Sequence, residues 1–499
     1  MSKPISLKKN TIANYIGQFY TMFIGIFMLP FYLKYLGAEA YGLVGFFTVL
    51  MSWMALLDLG LSATLARETA KLKDKLNGLL ELKKMTLSIE LFFVIISVFI
   101  FSAMFFGSSW ISTHWLSVKE LSYETVESTI KIMAFMIILR WFVGLYQGTI
   151  IGFEHHVWLN IYKMVFATLK FIGAFLLIVY VSNDIVHFFY FQLIVAIFEF
   201  IVIKFKVDSY MKVSQKVSPS FMTLKLIAPF ALSIAYTSGI WVFITQLDKL
   251  MLSHYLSLNE YGFFTLVILV SGAILQIFQP IGQAILPRMT SLLSNGEEKK
   301  MIDLYHKATQ LGAIVVLAVS GMVAVFSYEL LYSWTGNIEA SQWAAPILFW
   351  YALGNGVVSL LSFQYYMQYA HGNLKYHVKG NTYFGFIQII VIILAVHFYG
   401  ALGAGITWFG LQTFFLLWWP GFIHSKFAPG IHKDWVFKDI LPSLLMSLVY
   451  LLLLNEYGYD LRLSLKNQTV FQITDNMIEH PNNKFKCNHC NIDYNLSDY

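Results

Sequence analysis

The chain has 499 residues, of which 58% are hydrophobic and only 12% are charged, and its formal net charge is +6. Soluble domains carry about 25% charged residues, so this composition leaves too few charges to keep a soluble surface hydrated. It excludes a soluble enzyme, a nucleic-acid binder and a disordered scaffold, and it predicts an all-α polytopic membrane protein.

Long apolar runs mark the membrane segments, because a helix needs about 20 apolar residues to cross the hydrocarbon. In chain order the predicted spans cover 11–33, 41–63, 86–107, 125–151, 162–181, 184–203, 226–247, 261–285, 308–331, 344–367, 380–397 and 401–422. A thirteenth candidate, 439–456, is shorter and ends in Asn455-Glu456. We therefore expect 12 or 13 membrane helices.

The basic residues indicate how these spans are oriented. Connections on alternate sides of the predicted spans carry 24 Lys and Arg on one side and 3 on the other. Because cytoplasmic loops are enriched in Lys and Arg, this asymmetry predicts a cytoplasmic N-terminus.

A short pattern recurs at an offset of 220 residues. Tyr35–Gly42 and Tyr255–Gly262 both begin with Tyr-Leu, end with Tyr-Gly and lead into a long span. The offset covers six spans, which predicts two six-helix lobes related by a parallel internal repeat, an arrangement found in transporters. The predicted divisions are an N-terminal lobe 1–203, a cytoplasmic inter-lobe loop 204–225, a C-terminal lobe 226–422, a loop with the thirteenth candidate segment 423–456, and a polar tail 457–499.

Ionisable residues at membrane depth are candidates for function, because a charge there costs about 3 kcal/mol or more. Arg140 lies in the middle of its span, and its planar guanidinium suits pyrophosphate oxygens. The structural alternative is an ion pair with Glu199 or Glu90. Lys170 is a second candidate phosphate contact. Lys131 shares the helix of Arg140 but lies half a turn away from its face, and either lysine could instead extend its amine to the interface.

Other charged residues are candidates for gating, ion coupling or substrate attraction. Asp58, near the inner end of span 2, could exchange a proton or pair with an arginine, although the neighbouring Gly60 equally suits helix packing. Asp248 and Lys249 lie at the outer end of span 7 and are candidates for a gate. Arg67 and Arg288 lie at cytoplasmic span ends, where they anchor topology or attract an anionic headgroup.

The sequence contains no motif for nucleotide or metal chemistry on its loops. Adjacent His155 and His156 cannot share a helical face, and Cys487 and Cys490 with His489 lack a second ligand pair. We therefore expect no metal, no cofactor and no enzymatic active site.

Several short motifs together resemble a known family. They are the sequences at Tyr35–Gly42, Leu57–Gly60, Arg67-Glu68, Gln246–Lys249 and Gly400–Gly405. In this order and on these spans, they resemble the Wzx-type O-antigen flippases of the multidrug/oligosaccharidyl-lipid/polysaccharide exporter superfamily. The resemblance covers roughly residues 5–440.

The resemblance implies that a lipid-linked oligosaccharide on undecaprenyl pyrophosphate moves from the cytoplasmic to the periplasmic leaflet of the bacterial inner membrane. It also implies membrane lipids, a polysaccharide polymerase and a chain-length regulator as partners. Two features depart from the family pattern. Asn14 and Gln18 stand where lipid II flippases tend to carry arginines, and the tail from Tyr457 is polar.

Two other functions are compatible with the membrane architecture. One is an ion-coupled exporter of small amphiphiles, although a cationic cavity repels cationic drugs. The other is a membrane enzyme, a polymerase or acyltransferase, acting on the same glycan. Such an enzyme needs a catalytic constellation on a long loop, and no loop of that kind is visible.

Overall fold

The computed structural model describes residues 7–75, 77–213 and 215–454. These ranges contain no strand, only an isolated bridge between Ser117 and Ser257. Predictions concerning the tail 457–499, including its cysteines, lie outside the described residues.

The described chain is almost entirely helical. Its N-terminal half consists of α1 (Leu7–Leu36), α2 (Ala38–Met54), α3 (Leu61–Leu72), α4 (Gly78–Trp110), α5 (Tyr123–Gly152), α6 (His156–Thr168), α7 (Ala174–Tyr180) and α8 (Ile185–Tyr210). Its C-terminal half consists of α9 (Phe221–Tyr255), α10 (Leu258–Ser294), α11 (Glu298–Val325), α12 (Ser327–Thr335), α13 (Ile338–Ala370) and α14 (Lys375–Phe427).

Twelve helical segments within the described ranges are long and apolar enough to cross a membrane. One of them, α14, has 53 residues and would be about 80 Å long if straight, far more than a bilayer core of about 30 Å. At Gly400 the backbone takes non-helical angles, φ 57° and ψ −141°, which divide α14 into two separate helices. With α14 counted as two helices, the membrane helices of the described chain form two six-helix lobes and a last candidate span, His432–Leu454. This arrangement confirms the predicted fold class.

Several helices extend beyond the predicted spans. Helix α8 continues to Tyr210 and α9 begins at Phe221, so only 211–220 separate the two halves. Hydropathy marks the part of a helix that lies in lipid, whereas backbone hydrogen bonding continues past it into the polar region. The predicted loop 204–225 is therefore partly helical.

The repeated segments meet at one end of the molecule, where α2 packs along α10. A Cβ on Gly42 would lie 2.1 Å from the carbonyl oxygen of Leu258, and a Cβ on Gly262 would lie 2.1 Å from that of Ala38. The two contacts are related by the same 220-residue offset, as expected for a pseudo-twofold axis between the halves. We call this contact, Ala38–Gly45 against Leu258–Thr265, the closed end.

A buried carboxylate stabilises the closed end. Glu39 is 2% exposed, and its carboxylate accepts hydrogen bonds from the backbone N–H groups of Lys119, Glu120 and Leu121 at 2.5 to 3.1 Å. These bonds offset the cost of burying its charge and fix the α4–α5 connection. The α4–α5 connection also contacts the other half, because Leu258 N donates a hydrogen bond to Ser117 O at 2.9 Å.

Candidate functional site

Two cations and one carboxylate lie together in the N-terminal half. Lys170 Nζ lies 2.5 Å from Oε2 of Glu199, which is 5% exposed. Arg140, on α5, is linked to this pair through Gln192, whose Oε1 accepts from Arg140 Nη2 at 3.4 Å and whose Nε2 donates to the backbone carbonyl of Lys170 at 2.8 Å. The structure therefore brings Arg140 and Lys170 into one cluster with Glu199, here called the cationic cluster.

Lys170 lies in a π-helical segment, Leu169–Gly173, between α6 and α7. Such segments leave carbonyl groups without their usual α-helical donors and are frequent at functional sites. Here side chains supply the donors: Tyr32 Oη donates to Phe171 O at 2.7 Å, and Gln192 Nε2 donates to Lys170 O at 2.8 Å. Side chains of α1 and α8 thus stabilise the π-helical bulge that positions Lys170.

Tyr32→Phe tests this support. Tyr32 is 4% exposed, so the substitution leaves a buried carbonyl of the π segment without this donor. We expect a loss of about 1–3 kcal/mol in the free energy of unfolding. The measurement is the thermal unfolding midpoint of the purified protein in detergent. Tyr35→Phe is the matched control, since Tyr35 is 40% exposed on the same helix. An equal midpoint for both variants would contradict the assigned role.

Arg140 keeps part of its hydrogen-bonding capacity free. Its Nη2 donates to Gln192 Oε1 at a long 3.4 Å, and its guanidinium lies 5.1 Å from the centre of the Phe47 ring. Its buried Nε has no partner among the described residues. The alternative partner Glu90 is occupied elsewhere, by Lys204 at 2.6 Å and the hydroxyl of Tyr146 at 2.9 Å.

The charge balance of the cationic cluster favours an anion. Lys170 pairs with Glu199, whereas Arg140 makes no ion pair with any carboxylate among the described residues. An excess of positive charge at membrane depth is costly unless an anion compensates for it. A phosphate or pyrophosphate group fits the free donors of an arginine fork beside a lysine.

Lys131 lies apart from this cluster. Its Nζ pairs with Glu127 one turn away on α5 at 2.6 Å, and it lies 5.2 Å from the centre of the Phe105 ring on α4. This placement agrees with the half-turn separation from Arg140 expected from the sequence.

Asp58 lies at a break between α2 and α3. Leu59 and Gly60 both take positive φ values, 48° and 72°, and Asp58 accepts a hydrogen bond from the backbone N–H of Ser62 at 3.2 Å. A Cβ on Gly60 would lie 2.4 Å from Ala231 O on α9, so the close helix packing anticipated for this glycine is present. Asp58 thus caps α3 where the two halves meet.

Asp248 and Lys249 form a buried network. Asp248 is 3% exposed and accepts hydrogen bonds from the Tyr351 hydroxyl and from Lys249 Nζ. Lys249 Nζ also donates to Thr245 O, and the Tyr261 hydroxyl donates to Lys249 O at 3.2 Å. All of these partners lie in α9, α10 and α13, so the network connects helices within the C-terminal half.

The two arginines predicted at the mouth have different surroundings. Arg67 pairs with Glu68 at 2.8 Å and lies 4.1 Å from the centre of the Phe230 ring, which belongs to the other half. Arg288 is exposed near the end of α10. The structure does not bring either of them to the cationic cluster.

The family of the chain follows from its sequence. Residues 7–293, more than half of the chain, match the family described as "Polysaccharide biosynthesis protein". The chain belongs to this family. No curated protein matches it.

Solved structures with a similar fold are membrane transporters. One, titled "Lipid II flippase MurJ, inward closed conformation", gives a TM-score of 0.71 at 16% identity, covering 95% of this chain and 98% of that chain. An inward-facing MATE transporter of the MOP superfamily gives 0.62 at 15% identity over 82% and 96%. The MATE multidrug transporter DinF-BH gives 0.60 at 14% identity over 85% and 96%. This member of the polysaccharide biosynthesis family therefore has the fold of these transporters.

The structure of this family member also shows a cleft between α1 and α10. It has a volume of about 500 Å³ and is lined by Tyr15, Ile16, Gln18, Phe19, Tyr20, Met22, Phe23, Gln276 and Pro280. Gln18 Nε2 crosses it to Oε1 of Gln276 at 3.3 Å and of Gln279 at 2.5 Å. A pair of neutral amide contacts thus connects the two halves beside an apolar opening.

Sequence reasoning did not single out Tyr32, Gln192, Gln276 or Gln279, and it noted Gln18 only as a departure from the lipid II flippase pattern. Charge is a strong signal in an apolar span, whereas a single hydroxyl or amide is common there. The sequence does contain one signal for these residues, because Gln18, Gln192 and Gln276 are amides that each lie within a predicted span.

Proposed function

We propose that this protein translocates undecaprenyl-pyrophosphate-linked repeat units of O-antigen or a related surface polysaccharide. They move from the cytoplasmic to the periplasmic leaflet of the bacterial inner membrane, and the N-terminus is cytoplasmic. The observation that carries the proposal is the cationic cluster, in which Lys170 pairs with Glu199 and the neighbouring Arg140 has a buried Nε without a partner among the described residues. Family membership and the basic loops support it.

In this mechanism the pyrophosphate competes with Glu199 for Lys170 and binds the free donors of Arg140. Lys170 is paired with Glu199 before substrate binds, which keeps the charge tolerable in the membrane. An arriving dianion offers Arg140 a bidentate partner and draws Lys170 away from the carboxylate. Substrate binding therefore changes the ion pairing between α6–α7 and α8, which supplies a local signal for rearrangement.

The prenyl tail requires an opening to lipid while the headgroup lies inside. The cleft between α1 and α10 meets this requirement, since its lining is largely apolar and aromatic. The hydrogen bonds of Gln18 to Gln276 and Gln279 join neutral groups, and interhelical hydrogen bonds of this kind contribute only about 0.6 kcal/mol each on average within a membrane. We assign this cleft as the position of the tail.

Alternating access then requires the closed end to separate. Gly42 and Gly262 hold the backbones of α2 and α10 in contact at that end. The roles of Asp58, Asp248 and Lys249 in gating or ion coupling belong to this part of the cycle. Lys131 is proposed as a further substrate contact, and Arg67 and Arg288 as attractors at the cytoplasmic mouth. A polymerase and a chain-length regulator would receive the translocated unit.

The direct test locates the lipid-linked single repeat unit in cells that lack the gene. An impermeant glycan-modifying probe is added to spheroplasts, with and without a plasmid copy. We expect a protected unit to accumulate on deletion and to become accessible on complementation. A unit that is accessible without the protein, yet fails to polymerise, would place its function downstream of translocation and overturn the proposal.

A further inference from the structure

A second cavity lies within the C-terminal half, between α9, α13 and both parts of α14. Its volume is about 360 Å³, within the range of small-molecule sites, and aromatic and amide side chains line much of it. Its polar and aromatic lining includes Trp241, Gln364, Tyr365, His377, Asn381 and Gln412. No Asp, Glu, Lys or Arg is among the lining residues, in contrast to the cationic cluster.

Several polar atoms of this lining have no partner in the described part of the protein. Asn381 Nδ2 contacts His377 Nε2 at 3.0 Å, and Gln412 Nε2 donates to Gln388 Oε1 at 3.3 Å. The amide oxygens of the same two residues, Oδ1 of Asn381 and Oε1 of Gln412, make no hydrogen bond there, and neither does the hydroxyl of Tyr365. The cavity therefore offers hydrogen-bonding capacity that the fold does not use.

Aromatic rings form the walls beside these free groups. The Tyr365 ring lies 4.8 Å from the His377 ring, and the Phe384 and Phe415 rings stack at 4.3 Å. Trp241 is 48% exposed on α9. Amides and hydroxyls both donate to and accept from hydroxyl groups, and ring faces receive apolar C–H surfaces. This combination suits a polyhydroxylated ring and gives an ionised group no counter-charge.

We propose that this cavity binds an uncharged sugar of the lipid-linked oligosaccharide. The inference rests on the proposed function and adds the class of sugar and the residues that hold it. A substrate with pyrophosphate on the cationic cluster and a neutral sugar in the C-terminal cavity engages both halves, so its binding couples their positions.

The test measures binding to purified full-length protein in nanodiscs. The probes are three synthetic lipids: undecaprenyl pyrophosphate alone, the same lipid with a neutral N-acetylhexosamine disaccharide, and a matched disaccharide ending in a uronic acid. We expect the neutral disaccharide to bind about tenfold more tightly than the sugarless lipid, and the uronic acid form to lose that gain. Equal binding of all three lipids would overturn the sugar site while leaving the flippase intact. Failure of all three to bind would overturn both.

Conservative variants test whether this cavity is where the neutral sugar binds. Tyr365→Phe removes a hydroxyl that makes no hydrogen bond in the described fold, so stability should be unchanged while affinity for the neutral disaccharide falls severalfold. Asn381→Leu should act in the same direction. Affinity for the sugarless lipid should stay at the wild-type value in both. Tyr383→Phe is the matched control, since Tyr383 is 70% exposed on α14 outside the cavity. If Tyr365→Phe matches this control with the neutral disaccharide, the assignment is wrong.

Discussion

Arg140→Ala is expected to reduce surface polysaccharide about tenfold or more at wild-type levels of inserted protein. The substitution removes the arginine fork that we assign to the pyrophosphate, and a hydrogen bond to a charged group contributes about 1.5–3 kcal/mol. Arg140→Lys should retain part of the activity, because it keeps the charge but loses the bidentate geometry. The measurement is the amount of surface polysaccharide per unit of membrane-inserted protein, read by gel and immunoblot.

A double variant separates substrate binding from a structural role. If Arg140 serves only to balance the charges of this cluster, Arg140→Gln combined with Glu199→Gln should recover activity, since the double variant has the same net charge as the wild-type cluster. If Arg140 binds the pyrophosphate, the double variant should stay as inactive as Arg140→Gln alone. Lys307→Gln provides a control for loss of one positive charge, because Lys307 is 69% exposed and pairs only locally with Asp303. Recovery in the double variant would contradict the assignment.

Hydropathy and charge were enough to predict the membrane fold. The spans, the repeat and the two lobes follow from apolar run length and from one recurring segment, because lipid tolerates few solutions other than complete helices. The repeat proved more informative than its short length suggested. Gly42 and Gly262 are equivalent in sequence, and in the structure each meets the backbone of the opposite half.

The chemistry of the site was only partly predictable. Arg140 and Lys170 were singled out as candidates because a charge in an apolar span is unusual. The pairing of Lys170 with Glu199 depends on the π segment at Leu169–Gly173, and no periodicity in the sequence indicates that bulge. The amides of the C-terminal cavity were missed for a similar reason. Amide side chains within membrane helices commonly form hydrogen bonds with a neighbouring helix, and only the packed structure shows which amide atoms remain without a partner.

A disulfide across the closed end should stop transport. A Cβ on Gly45 would lie 3.2 Å from the Cβ of Thr265, slightly inside the disulfide range of about 3.5–4.5 Å. With Cys487 and Cys490 replaced by Ser, Gly45→Cys with Thr265→Cys should therefore oxidise after a shift of a few tenths of an ångström. Because the bond joins α2 of one half to α10 of the other, the closed end cannot separate. We expect translocation in proteoliposomes to fall at least about tenfold on oxidation and to return on reduction.

The matched control is a disulfide within one half. Gly356→Cys with Ser320→Cys joins α13 to α11, where a Cβ on Gly356 would lie 2.9 Å from the Cβ of Ser320. Oxidation of this pair should leave translocation near the value of its reduced form, because alternating access moves the halves as bodies and does not require their internal helices to part. The two disulfides therefore distinguish loss of general flexibility from loss of movement between the halves. Full transport by the oxidised Gly45→Cys, Thr265→Cys variant, with complete cross-linking verified by mass spectrometry, would show that the substrate leaves without opening the closed end, and the alternating-access mechanism would fail.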